Sequence, residues 1–277
     1  MEPFGTRLRH SMDTRGQVCV GIDPHASLLS GWGLDDSPAG LERFAMTVVE
    51  ALGTEVAVFK PQSAFFERHG SAGIAALEKA VRAAREAGAL VLLDAKRGDI
   101  GSTMQGYAEA YLDQSSPMAV DAMTVSPYLG FESLRPALDT AATHGAGVFV
   151  LALTSNPEGP QVQHARASSG TVAGEMLAAI ARENAGAAPL GSVGAVVGAN
   201  LDSCDEDLAV NGPLLAPGFG AQGGGPDDVR RIFAAALPNV LASTSREVLS
   251  AGPDASALRE AAQRARDVVS AAVSAAS

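Results

Sequence analysis

Lysine is nearly absent from this chain of 277 residues, which carries 17 arginines but only 3 lysines, Lys60, Lys79 and Lys96. An arginine does not give up its proton inside a protein, whereas an ammonium does. A composition that otherwise prefers arginine therefore points to its few lysines as candidates for proton transfer. Positive charge as a whole is scarce too: the net charge is -11 and the pI about 4.9. Neutralising a phosphate backbone requires a basic surface, so non-specific nucleic-acid binding is excluded and an anionic ligand needs a local positive pocket. Cysteine is limited to Cys19 and Cys204, far apart and without metal-ligand spacing; Cys19, inside VCVGI, reads as a buried apolar residue. The 5 histidines form no HxH or HExxH pattern, so no metal site is expected.

Long apolar runs are missing as well. Hydrophobic residues make up 47% of the chain, yet no uncharged stretch approaches the length of a membrane span, and the start MEPFGTRLRH lacks the apolar segment of a secretory leader. Nothing marks a linker. These absences predict one soluble, cytoplasmic domain over residues 1–277, a length that suits a large α/β barrel.

What is present is a repeating alternation. Short apolar or β-branched runs predict strands near 18–22, 56–60, 90–94, 122–125, 147–153, 195–197, 214–216 and 240–242. Each is followed by turn residues and a stretch predicting a helix, near 41–52, 74–87, 103–112, 133–144, 172–187, 205–209, 227–236 and 258–275. Fully apolar strands alternating with helices imply a parallel sheet covered by helices, and eight such units predict a closed (β/α)8 TIM barrel. An open doubly wound sheet is the structural alternative, but it does not explain why polar residues follow nearly every strand.

Barrel enzymes place their chemistry on the loops after the strands. Those positions carry Asp23, Lys60, Asp94, Lys96, Ser126, residues 154–156, Gln222 and Arg246. The heptad DAKRGDI at 94–100 is the densest of them, setting two acids around a lysine at a strand end. Carboxylates at Asp94 and Asp99 favour the charged form of Lys96 and would hold it as an acid aimed at one spot. A surface ion-pair cluster is the competing reading of the same residues. Lys60 in FKPQ shares the mouth with Asp23, Asp94 and Lys96, which suggests a chain of alternating charges.

The segment PGFGAQGGGP at 217–226 contains a literal GxGxxG. A dinucleotide fingerprint also needs a surrounding βαβ unit and an acid about 20 positions on at the next strand end, and here that strand leads instead into Ser243 and Arg246. Barrels commonly bind phosphate between the seventh and eighth loops, where glycines let backbone N–H groups approach the anion. Arg246 would supply the charge and Gln222 a hydrogen bond; a merely floppy loop is the other reading.

GIDP around Asp23, FKPQ around Lys60, DAKRGDIGST at 94–103, SPYLG at 126–130, PGFGAQGG at 217–224 and STSRE at 243–247 together resemble the orotidine 5'-phosphate decarboxylase family, most of all its longer bacterial subgroup. The resemblance spans the whole barrel. It implies loss of carbon dioxide from C6 of orotidine monophosphate to give UMP, with neither metal nor organic cofactor. It also implies roles: Lys96 as proton donor, Asp94 beside the departing carboxylate, and Lys60 with Asp23 on the ribose hydroxyls. Ser126 would meet the pyrimidine, while Pro217, Gln222, Gly223 and Arg246 line the nucleotide's phosphate side. In a homodimer, Asp99 and Ile100 would reach into the partner's site. Met104 and Gln105 depart from the small residues common in relatives, and the loop at 154–170 offers no assignment.

The competing enzyme is a magnesium-dependent sugar-phosphate decarboxylase or hexulose-phosphate synthase of the same superfamily, which keeps the acid-lysine strand end but has no need of Lys60. A Schiff-base aldolase is disfavoured because flanking carboxylates keep Lys96 protonated and poorly nucleophilic. A silent nucleotide-binding barrel leaves the alternation of acids and lysines without a purpose.

Overall fold

The computed structural model describes residues 1–219 and 225–274. In chain order the elements are α1 (Phe4–Arg15), β1 (Val18–Ile22), α2 (Ala26–Gly31), α3 (Pro38–Leu52), β2 (Val58–Pro61), α4 (Ser63–Glu67), α5 (Gly70–Glu86), β3 (Leu90–Arg97), α6 (Gly101–Tyr111) and β4 (Ala122–Val125). There follow α7 (Arg135–His144), β5 (Gly147–Leu153), α8 (Pro160–Gln163), α9 (Val172–Glu183), β6 (Val193–Val197), β7 (Leu214–Pro217), α10 (Pro226–Phe233), β8 (Val240–Thr244), α11 (Arg246–Leu249) and α12 (Ala255–Ser274). Short 3-10 turns precede α7 and follow α10. The eight strands pair in sequence order, all parallel, and β8 closes on β1. The predicted barrel is therefore the observed one.

Side chains on a strand alternate between faces, and the two hydrophobic clusters separate along that alternation. Cys19, Val58, Leu90, Leu92, Ala122, Phe149, Val196, Leu215 and Leu241 fill the barrel interior. Their neighbours Val18, Val20, Phe59, Val91, Leu93, Met123, Val148 and Val150 face the helices in the second, larger cluster. Following the inward face toward the strand C-termini leads from Cys19 to Asp23, from Val58 to Lys60, from Leu92 to Asp94, and from Ala122 to Thr124. The same parity that packs the barrel thus delivers its charged residues to one mouth.

The predicted helix at 205–209 does not form; that stretch has no regular secondary structure. Asp202, Asp205, Glu206 and Asp207 crowd like charges at helical spacing, which opposes a helix too short to nucleate alone. The Asp207 carboxylate instead accepts from Ala209 N at 2.9 Å, a local bond that competes with helix geometry. The segment is anchored by buried Leu208 and Val210, and by Asn184 just past α9. The Asn184 amide donates to Val193 O at 2.7 Å and to Val210 O at 2.9 Å.

Helix α1, which the alternation does not anticipate, supplies Phe4, Leu8 and Met12 to the interior cluster. Phe4 meets Phe149 edge-on, with ring centroids 5.9 Å apart. Gly147 opens β5 because a Cβ there would stand 2.3 Å from Phe4 Cδ1. Arg7 then locks the helix down, donating to Asp121 Oδ1 at 2.6 Å and to Gly145 O at 2.9 Å.

Phe4→Ala should cost about 3–5 kcal/mol by emptying a buried aromatic site. At roughly 2–4 °C per kcal/mol for a chain of this size, the thermal midpoint should fall by roughly 6–20 °C. Gly147→Ala should destabilise the wild type by about 1–3 kcal/mol through overpacking, and much less in the Phe4→Ala background. Thermal unfolding of the four-member cycle checks this; additive losses would show that the two positions do not share space.

Candidate active site

Asp94 lies at the centre of the mouth, only 8% exposed. Its Oδ1 accepts from Lys96 Nζ at 2.6 Å and from the Thr124 hydroxyl at 2.8 Å, while its Oδ2 accepts from Lys60 Nζ at 3.3 Å. Burial alone would push this carboxyl up, but Lys60 and Lys96 outweigh that effect and bring it down to about 2. Lys60 is fully enclosed. Burial opposes its charge, and the nearby carboxylates of Asp23 and Asp94 overcome that, raising it above an ordinary lysine. Beneath it, Cys19 is pushed up to about 12 by burial and remains a neutral thiol filling the barrel layer.

Lys96 differs from Lys60 in exposure. Its side chain is 45% accessible, and its backbone takes φ +49°, a left-handed conformation rarely adopted outside glycine. The strand pairing shows why. Leu93 pairs with Met123 and Arg97 with Val125, so residues 94–96 all stand opposite Thr124. This bulge sends the acid and the lysine to the mouth together. Arg97, next in the chain, belongs to the helical layer: it pairs with Glu67 and lies 5.4 Å from the centre of the Tyr107 ring.

Asp23 completes the charge chain with one oxygen, Oδ1, buried and without a hydrogen-bond partner among the described residues. An unpaired buried carboxylate oxygen is costly, and a ligand hydroxyl is the group that would relieve it. Gly21 makes room for this loop, because a Cβ there would lie 2.7 Å from Ser245 Cβ.

A cavity of about 150 Å³ opens beside this cluster, lined by Asp94, Lys96, Thr124, Ser155, Leu215 and Pro217 among others. The structure therefore brings together Asp23, Lys60, Asp94, Lys96 and Pro217. Ser126 is not among the lining residues; its N–H donates to Arg97 O at 2.8 Å and the residue is half-buried. Ser155, from the loop left unassigned by sequence, lines the cavity instead. Two hydrogen bonds between Gln163 and Thr154 hold that loop: the Thr154 N–H donates to Gln163 Oε1 at 2.9 Å and the Gln163 amide donates to Thr154 Oγ1 at 2.6 Å. Thr124 was also missed, although a polar residue two positions beyond inward-facing Ala122 was a readable signal.

Two other predicted residues, Arg246 and Asp99, are not among those lining the cavity. Arg246 opens α11, exposed and without an ion pair among the described residues. Asp99 likewise has no ion pair among them, its Oδ1 accepting from Ile100 N at 2.8 Å. Gln222 and Gly223 lie outside the described residues. Among the described residues no group of His, Cys, Asp and Glu is placed to hold a metal ion, and no helix is long and apolar enough to cross a membrane. A larger depression of about 700 Å³ lies away from the mouth, near Arg7, Arg85 and Asp121; Asp121 pairs with both arginines there, so these charges serve the fold.

Comparison with known proteins agrees with this geometry. The orotidine 5'-phosphate decarboxylase of Streptomyces coelicolor is 64% identical over 266 residues, covering 95% of this chain and 96% of its relative. A crystal structure from Streptomyces avermitilis, provisionally assigned to the same enzyme, superposes with a TM-score of 0.96 at 64% identity, covering 99% and 97% of the two chains. The orotidine monophosphate decarboxylase structure from Leishmania donovani gives 0.75 at 29% identity, covering 98% and 99%. The model of the Orotidine 5'-phosphate decarboxylase / HUMPS family matches residues 16–261. Since that match runs from β1 through β8 and encloses the whole lysine-carboxylate cluster, the chain belongs to this family.

Proposed function

We propose that this protein decarboxylates orotidine 5'-phosphate to UMP in pyrimidine biosynthesis, as a soluble cytoplasmic enzyme. The observation that carries the reading is the Asp94 carboxylate shared between two ammonium groups beside a small cavity. Heterolysis of the bond between C6 and the carboxylate releases carbon dioxide and leaves the electron pair on C6. A fixed positive charge must stabilise that carbanion as it forms, and a proton must then reach it. The Lys96 ammonium supplies both, and the resulting amine regains its proton from solvent. Asp94 holds Lys96 in place and stands near the departing carboxylate, a secondary effect beside stabilisation of the developing charge.

The Asp23 oxygen without a partner among the described residues supports a contact with a ribose hydroxyl, and the lining position of Ser155 supports assigning it, in place of Ser126, to the pyrimidine. Arg246, with Pro217, Gln222 and Gly223 of the seventh loop, would hold the phosphate, a remote group whose binding energy can drive closure over the substrate. Magnesium chemistry of the related sugar-phosphate enzymes fits these residues poorly, because both Asp94 oxygens are already engaged by lysine.

We further propose a homodimer with shared sites. Ile100 is 62% exposed and stands on the loop adjoining the one that carries Tyr128 at 77% and Leu129 at 54%. Large apolar side chains on neighbouring loops suit a second copy. Asp99, without an ion pair among the described residues of its own chain, would complete the charge chain of the partner.

The direct test is ultraviolet-monitored turnover of orotidine monophosphate with excess chelator, which should proceed unimpaired in the wild type and collapse in Lys96→Arg, which keeps the charge but does not release a proton. Turnover that disappears with chelator and returns with magnesium would overturn the reading.

Arg246→Ala should weaken UMP binding at least about tenfold, as loss of a charge-assisted contact to phosphate implies, and leave uridine binding nearly unchanged. Calorimetric titration with both ligands decides; equal weakening would remove Arg246 from the phosphate.

Lys96→Ala and Asp99→Ala homodimers should each be nearly inactive. A mixed dimer collects both defects in one site and leaves the other intact, so co-refolding should recover up to about one quarter of wild-type activity. No recovery, with mixed dimers confirmed by native mass measurement, would place Asp99 in its own chain's site.

A further inference from the structure

The bulge in β3 creates a problem that its own ladder cannot solve. With residues 94–96 opposite Thr124 alone, the N–H of Lys96 meets no strand carbonyl and would be left without a partner. The Thr124 hydroxyl takes it, accepting from Lys96 N at 3.0 Å. The same hydroxyl spends its single proton on Asp94 Oδ1 at 2.8 Å. Thr124 is 1% exposed, so neither bond is open to replacement by solvent. From the other side, Gln62 bridges to Asp94 and its amide donates to Asp94 O at 3.2 Å, but this bond holds backbone only.

We infer that Thr124 is a positioning residue for the reaction, its hydroxyl tying the left-handed backbone of Lys96 to the orientation of the Asp94 carboxylate. Two requirements meet in that one oxygen. Lys96 must keep φ +49° for its ammonium to leave the strand on the cavity side, a conformation that persists only where surrounding structure imposes it. Asp94 must present Oδ1 to Lys96 and Oδ2 to Lys60, which a carboxylate free to rotate would not do consistently. A hydroxyl bonded to both groups makes one geometry depend on the other. β-Branching adds stiffness, since threonine has few χ1 choices in a strand.

This inference rests on the reading of Lys96 as the proton donor. Thr124→Val keeps the shape and removes the hydroxyl, Thr124→Ala removes both, and Thr124→Ser keeps the hydroxyl on a looser side chain. Misplacement of a catalytic group by about 1 Å costs on the order of 100-fold in rate, so kcat should fall about 10- to 100-fold in the Val and Ala variants. KM for orotidine monophosphate and Kd for UMP should stay within about 3-fold, because the ribose and phosphate contacts are untouched. The Ser variant should keep kcat within about 5-fold of wild type, since the bonding group is retained.

Circular dichroism and thermal unfolding identify which variants fold, and either Val or Ala suffices. A folded variant lacking the hydroxyl with wild-type kcat, a loss confined to KM, or a Ser variant as impaired as Val would each overturn the proposal. Lys96→Ala belongs in the same series. If it is inactive while Thr124→Val turns over normally, only the role of Thr124 falls; if it retains turnover, the assignment of Lys96 falls and this inference with it.

Discussion

A single buried carboxylate organises the mouth of this barrel. Asp94 could not remain ionised where it lies without compensation, and the compensation comes from two ammonium groups, one on each oxygen. Desolvation and attraction are both large there, and the attraction prevails. The consequence runs outward in both directions. Lys60 is enclosed, whereas Lys96 is partly accessible. Two residues of one type, bonded to one partner, differ in exposure, and the proposed role of proton donor falls to the accessible one.

The barrel makes this arrangement possible because its inward-facing positions form layers. Apolar side chains fill the lower layers, and the same alternation raises acids and lysines at the strand ends. Regular strands would not be enough. The bulge in β3 places an acid and a lysine at one mouth while Arg97 joins the helical layer with Glu67 and Tyr107. At the opposite end α1 plugs the interior with Phe4 and Leu8 and is secured by Arg7 on Asp121. Strain at the mouth and dense packing at the base follow the division of labour expected in this fold.

Much of this was legible in the sequence because it depends on local patterns. Runs of apolar residues gave the eight strands near their observed positions, and the DAKRGDI and FKPQ motifs marked Lys60, Asp94 and Lys96 as mouth residues. Strand ends were less legible: β3 continues to Arg97 through the bulge, beyond the apolar run that announced it. The helix expected at 205–209 failed for an equally local reason, since clustered acids and an aspartate turn outweighed helical spacing.

The sequence by itself determined the fold class, the scarcity of lysine and the acids that accompany it, since hydrophobic periodicity and composition need no tertiary information to be read. Only the tertiary structure decided which residues share a space. Thr124, on β4, and Ser155, in the loop after β5, join the site because neighbouring strands bring their ends together, while Ser126, two residues past Thr124, is not among the residues lining the cavity. Likewise, α1 closes the barrel through contacts with Phe149 and Asp121, more than a hundred residues away. Proximity across such separations comes from strand register and barrel closure, and neither is written in the spacing of any local motif.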